Sequence, residues 1–220
     1  NVSPVSPALA LTVDTAAPAA PTGVTVTDDV APVTGAIAAN GASNDNKPTF
    51  AGAAGSAEAG STITVMDGAT VLGTAVVAAD GSWSVTPTTA LADGAHSITT
   101  RATDAAGNVS PVSPALALTV DTAAPAAPAA PTSTAPSTND NTPGIHIGVG
   151  LTDTPSLYVD GVKVPATYDP VTGMLTPTTP LADGAHSITT TLTDAAGNES
   201  PQSAALPLTV DTAAPAAPTG

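Results

Sequence analysis

The chain has 220 residues, with 18 acidic side chains against 3 basic ones, a formal net charge of −15 and no cysteine. That balance excludes a nucleic-acid partner, which needs a basic face, and it excludes disulfides as a source of stability. No apolar run approaches the roughly 20 residues of a membrane-spanning helix, so membrane insertion of this segment is not expected.

Residues 1–21, NVSPVSPALALTVDTAAPAAP, recur unchanged at 108–128, and an altered copy, NESPQSAALPLTVDTAAPAAP, fills 198–218. The copies begin at 1, 108 and 198, which sets repeats the size of one small β-domain. That is too long for solenoid repeats of roughly 20–50 residues. Each repeat therefore has its own core and joins its neighbours end to end.

In chain order, residues 1–13 read as the last strand of a preceding, truncated repeat, and 14–21 as a linker. Repeat 1 spans 22–121, with strands predicted near 23–28, 48–54, 61–66, 70–77, 82–87, 95–103 and 113–120. The last shows the logic: Leu116, Leu118 and Val120 alternate with smaller or polar residues, so one face is buried and the other wet. Asp67-Gly68 predicts a tight hairpin, and Asp80-Gly81 and Asp93-Gly94 mark further turns. Trp83, between Ser82 and Ser84, is the expected core anchor. A second linker at 122–128 leads to a shorter repeat 2 at 129–211, and 212–220 is the linker to the next repeat. LADGAHSITT and DAAGN recur in repeat 2, but its front is shortened and lacks the Asp28-Asp29 pair. Alanine and proline without glycine make each linker stiff and extended. Seven short strands punctuated by turns predict an all-β fold, tandem immunoglobulin-like antiparallel β-sandwiches joined end to end.

Large side chains are scarce: one Trp, one Phe and two Tyr. Cores this modest invite a staple, and without cysteine the staple is a metal. Sixteen of the acids are Asp, and most recur in turns next to the joints. Ca²⁺ takes about 6–8 oxygen ligands with tolerant geometry, which suits short Asp and Asn side chains on loops. One Ca²⁺ site is expected per joint: Asp14, Asp104 and Asn108 at repeat 1, and Asp121, Asp194 and Asn198 at repeat 2. A further site is expected near Asp28, Asp29, Asp45 and Asp93 at the opposite pole of repeat 1. Its counterpart in repeat 2 has only Asn139, Asp140 and Asp183. The same Asp residues also serve as ordinary turn formers, with Asp104 closing an Asx-turn over AAGN.

TDAAGNVSPVSPALALTVDTAAP, with GSWSVTP and LADGAHSITT upstream, resembles the bacterial immunoglobulin-like repeats of giant type I-secreted adhesins and biofilm-associated proteins. The resemblance implies an extracellular extender rod at the bacterial cell surface, with Ca²⁺ at domain joints and adhesion or biofilm formation as its setting. The partners it implies are neighbouring repeats of the same chain and, through other regions, a host or abiotic surface. Two alternatives stand beside this reading. One is a glycan- or protein-binding module using Tyr158 and Tyr168; the other is a fibre subunit in which strand 1–13 completes a neighbouring chain's sheet. Catalysis is not expected. His96 and His186 fill equivalent structural positions, His146 alternates with Ile145 and Ile147 on a strand, and Ser97 and Ser187 point away from their neighbouring histidines.

Overall fold

The computed structural model describes residues 3, 7 and 9–217. The described residues form two compact units, the first comprising 9–29 and 34–120 and the second 30–33 and 121–217. Both are all-β.

The first unit contains β1 (Thr25–Asp28), β2 (Gly35–Ala36), β3 (Ala42–Ser43), β4 (Thr49–Gly52), β5 (Thr62–Asp67), β6 (Thr70–Val76), β7 (Trp83–Val85), β8 (Gly94–Thr103) and β9 (Leu116–Val120). One sheet runs β2-β1-β4-β7 and the other β3-β9-β8-β5-β6. Pairing is antiparallel except between β3 and β9. Seven of these strands fall where alternation places them. The two-residue β2 and β3 are additions that are too short to carry a period. The β5–β6 loop is Gly68-Ala69, one residue beyond the expected turn, so Asp67 is the last paired residue of its strand. Gly68 has φ 55, the left-handed value that a two-residue hairpin asks of its first loop position.

The core forms where the inward residues of both sheets meet. Phe50, Ile63, Val65, Ile98, Leu118 and Val120 are at most 2% exposed. Trp83, 5% exposed, lies directly over Gly52, where an added Cβ would run into the indole. Glycine in that strand is therefore a close-approach requirement.

The second unit contains β10 (Ser137–Thr138), β11 (Ile145–His146), β12 (Thr154–Val159), β13 (Val162–Val164), β14 (Ala166–Asp169), β15 (Met174–Pro177), β16 (Gly184–Thr193) and β17 (Leu206–Val210). Its five-stranded sheet, β10-β17-β16-β12-β13, repeats the first unit's order. The other sheet does not. It runs β11-β15-β14, and only the bridge Thr132↔His146 remains where the first unit has β1. The shortened front thus removes the counterparts of β1 and β2 from one side, and the β14–β15 hairpin adds one strand on the other.

In both units the chain approaching the last strand contains prolines, which have no N–H to give a ladder. Serines carry the pairing instead: Ser110 N donates to Ala102 O and Ser113 N to Thr100 O, and their hydroxyls serve as the acceptors a strand carbonyl would otherwise supply. Ser110 Oγ accepts from Ala102 N at 2.9 Å and donates to Pro111 O at 2.7 Å. Ser113 Oγ accepts from Thr100 N at 3.0 Å and donates to Pro114 O at 3.0 Å. Ser200 and Ser203 do the same for Leu192 and Thr190.

Residues 1, 2, 4–6 and 8 of the expected strand 1–13 lie outside the described residues, as do 218–220 of the last linker. Residues 9–13 form no strand, and Leu9, Leu11 and Val13 are 91%, 81% and 78% exposed. The identical sequence at 116–120 is β9, with its leucine and valine buried.

Ser113 is buried, so Ser113→Ala strands the buried Thr100 N–H. We expect a loss of about 1–3 kcal/mol in unfolding free energy by urea denaturation. A change within about 0.5 kcal/mol, the range of a neutral surface substitution, would show that the hydroxyl rung is dispensable.

Candidate functional site at the incoming linker

The loop between β8 and the serine rungs is closed on itself. In the first unit, Asp104 Oδ1 accepts from Asn108 N at 2.8 Å, and Asp104 N donates to Asn108 O at 3.0 Å. Gly107, φ 93, makes the sharp return. The Asn108 carboxamide then bridges two elements: its Nδ2 donates to Asp104 Oδ2 at 2.8 Å and to the linker carbonyl of Asp14 at 3.1 Å. The second unit repeats this arrangement. Asn198 Nδ2 donates to Asp194 Oδ2 at 2.9 Å and to Asp121 O at 2.8 Å. Asn108's amide, chiefly through its side chain, holds the Asp104 carboxyl below the usual carboxylate range.

The residues expected at each joint are therefore brought together, with Asn in a different role. It was read as an oxygen ligand, and here it works through its nitrogen as a donor. Each linker Asp caps its own turn, Asp14 Oδ1 accepting from Ala16 N and Asp121 Oδ1 from Ala123 N. In the first unit, Asp14, Glu58 and Asp104 line one cavity of about 380 Å³, floored by Ala59, Gly60 and Ser61. Asp80, read as a turn residue, serves as one: its Oδ1 accepts from Ser82 N and Oγ.

At the opposite pole, Asp28 and Asp45 are each 4% exposed, and Ser43 links them. Its hydroxyl donates to Asp28 Oδ2 at 2.6 Å and accepts from Asp45 N at 3.1 Å. Asp29 contributes its backbone N, 3.4 Å from Asp45 Oδ2. Asn44 Oδ1, between these residues in sequence, is buried without a hydrogen-bond partner. In the second unit the equivalent loop keeps its turn, with Asp140 N on Thr138 Oγ1 at 3.0 Å, but Asp140 is exposed because nothing replaces Asp28. There Asp183, the counterpart of Asp93, takes a linker contact: its Oδ1 accepts from Thr212 N at 3.0 Å and Oγ1 at 2.8 Å.

Among the described residues, no three His, Asp or Glu side chains are grouped to grip a metal as they stand. The donor chemistry still fits a hard cation at two places. These are the carboxylate-lined cavity of Asp14, Glu58 and Asp104, and the buried carboxylates of Asp28 and Asp45, the latter in the loop that also holds the unpartnered Asn44 oxygen. Sequence gives no signal for Ser43 or Thr212, since a lone Ser or Thr in a turn has none; Glu58 lies in the loop before β5, at the same pole as Asp14 and Asp104.

The tyrosines do not form a common platform. Tyr158 OH donates to Glu199 Oε1 at 2.7 Å on the five-stranded sheet, and Tyr168 OH donates to Gly148 O at 2.9 Å beside the other sheet. Thr191 and Tyr158 hold the Glu199 carboxyl below its ordinary range, and burial raises Tyr158.

The family profile described as Bacterial Ig-like domain matches residues 20–122 and again 130–212. The chain belongs to that family. Among solved structures, the pair of Ig-like domains is similar to the fibronectin(III)-like modules of Clostridium thermocellum CbhA. That likeness has 16% identity and TM-score 0.50, and it covers 84% of this chain and 93% of that one. A 1.5-MDa bacterial ice-binding adhesin gives 24% identity and TM-score 0.38 over 76% of this chain and 59% of that one. A tetra-tandem repeat from the extending region of a large adhesion protein gives 21% and 0.29, covering 89% of this chain and 50% of that one. The Ig-like pair thus spans between half and three-fifths of those two adhesin structures. Comparison with curated protein sequences finds no match.

Asn198 is 8% exposed and ties linker to loop. We expect Asn198→Ala to lower stability by about 1–3 kcal/mol in a denaturant melt and to raise the mobility of residues 122–128 in ¹⁵N relaxation. Unchanged linker relaxation would show that the amide does not hold the joint.

Proposed function

We propose that this chain is an extender segment of a large extracellular bacterial adhesin, and that Ca²⁺ at its joints stiffens the connection between Ig-like domains. The observation that carries the reading is the repeated clip: in both units the same Asp–Asn loop fastens the backbone of the incoming linker. A protein whose work is reach needs its joints fixed more than it needs a pocket. The flanking carboxylates supply the oxygen donors that such a cation takes. Asp14, Asp104 and Glu58 would hold it at the first joint, with Asp121 and Asp194 at the second; Asp28 and Asp45 would hold another. Bound Ca²⁺ supplies charge neutralisation and cross-linking, and no chemical step. The role is structural and not catalytic, and the location is the cell surface. No helix among the described residues is long and apolar enough to cross a membrane.

Strand donation is the second reading, favoured by one observation. Residues 9–13 carry the sequence of β9 and expose the side chains that β9 buries. An unchanged solution mass after deletion of 1–13 removes it.

Calorimetric titration with Ca²⁺ should show saturable binding, and millimolar Ca²⁺ should raise the melting temperature, reversibly with chelator. Absence of both heat and shift would sink the calcium reading while leaving the extender reading to small-angle scattering.

A further inference from the structure

Both domains carry a histidine whose two ring nitrogens face oxygen. In the second, His186 Nδ1 lies 2.7 Å from Asp160 Oδ2 and Nε2 lies 2.9 Å from Ala182 O. In the first, His96 Nδ1 lies 2.7 Å from Asp67 Oδ2 and Nε2 lies 2.8 Å from Ala92 O. A carboxylate and a carbonyl only accept. A neutral imidazole has one donor and one acceptor, so it satisfies one partner and turns a lone pair on the other; the imidazolium satisfies both.

The two clasps are built differently. Asp67 is the last paired residue of β5, whereas Asp160 is the first loop residue of its hairpin, with φ 54. The second carboxylate oxygen also has the same task in each, accepting from Ser97 N at 3.1 Å or Ser187 N at 2.8 Å. Two backbones converge on one ring environment.

We propose that the His186 clasp is a pH-operated latch on the outgoing linker, closed by the imidazolium and opened by its deprotonation. Ala182, which the ring holds, is followed directly by Asp183, whose carboxylate grips Thr212 through its N and Oγ1. Thr212 opens the linker two residues after β17 ends. Leu181 stays anchored, its N donating to Asn141 O at 2.7 Å, so losing the Nε2–Ala182 bond loosens the 182–183 step that carries this grip.

The charges around the ring favour closure. Asp160 faces it from the hairpin, Asp183 stands on the held loop, and Asp211 follows β17, which itself carries no charge. Lys163, on the same hairpin, is engaged with Glu199 at 3.7 Å. The Ala182 carbonyl first and Asp160 second raise the His186 pKa, against burial. For His96, burial is the largest influence and pulls downward, but Asp67 and the Ala92 carbonyl together outweigh it. Because folding raises the pKa, the latch is complete below the unfolded value of about 6.5 and is lost as pH climbs through the raised folded value.

The test is an NMR titration of the full chain from pH 5.5 to about 9, with chelator present so that joint metal plays no part. The His186 Cε1–H midpoint should lie above the ordinary histidine value. The Thr212 amide shift and order parameter should change with that same midpoint. In His186→Gln the Thr212 response to pH should vanish. A His186 midpoint at or below the ordinary value overturns the proposal, as does a Thr212 amide that stays constant while the ring titrates. Both are read on the wild-type chain, so a variant that fails to fold does not blunt the test.

Discussion

The sandwich closes through a strand that should be a poor strand. Prolines at 111 and 114 have no N–H, so the backbone donors to β8 come from Ser110 and Ser113, which reach Ala102 O and Thr100 O; the buried N–H groups of Ala102 and Thr100 still need acceptors and would be left unpaired without the serine hydroxyls. Each such orphan costs about 1–3 kcal/mol, a large share of a small domain's net stability. Serine hydroxyls act as acceptor and donor at once and restore the ladder two sites at a time. The rest of the domain hangs on this return segment. The Asn clip precedes it, β9 ends it, and the linker leaves from it. A short run of sequence therefore closes the core and fixes the joints on either side.

That dependence explains why the two domains share one sheet and differ in the other. The five-stranded sheet contains the return segment, the histidine clasp and the Asp–Asn loop, and its order is the same in both units. The facing sheet only has to cover the core. One domain covers it with β1, β4 and β7 and the other with β11, β15 and β14. Losing β1 also removes the partner of a buried carboxylate, which leaves Asp140 exposed where Asp45 is buried. The two domains therefore offer unequal polar clusters at their outgoing poles, although both incoming poles carry the same Asp–Asn clip.

Much of the fold was legible because alternation is a strong signal over five or more residues. β9 announces itself through Leu116, Leu118 and Val120, and Trp83 through its serine neighbours. β2 and β3 were not legible, since two residues have no period and their pairing is set by distant chain. The parallel contact of Ala42 with Thr119 is of that kind. The joint residues were legible as a group, because the Asp104–Asn108 spacing of four recurs as Asp194–Asn198 and Asp14 recurs as Asp121 in the same linker sequence. Their roles were less so. An asparagine carries both a donor and an acceptor, and which end is used depends on the partner it meets. Here the partners are a carboxylate and a carbonyl, which call for the nitrogen. The β5–β6 turn lies one residue further on because Asp67 still pairs with Thr70, after a register shift at Val65/Met66.

The proline steps have a consequence for a protein made of near-identical neighbours. Repeats in tandem meet one another at high local concentration while they fold, and an open sheet edge is a template for the wrong chain. Along 110–115 the rungs that face β8 come from the backbone N–H and hydroxyl of Ser110 and Ser113, and Pro111 and Pro114 have no N–H to offer another strand. The segment that seals its own domain is thereby a poor receptor for another's. A polypeptide can then string together many copies of one sequence without the copies knitting into each other.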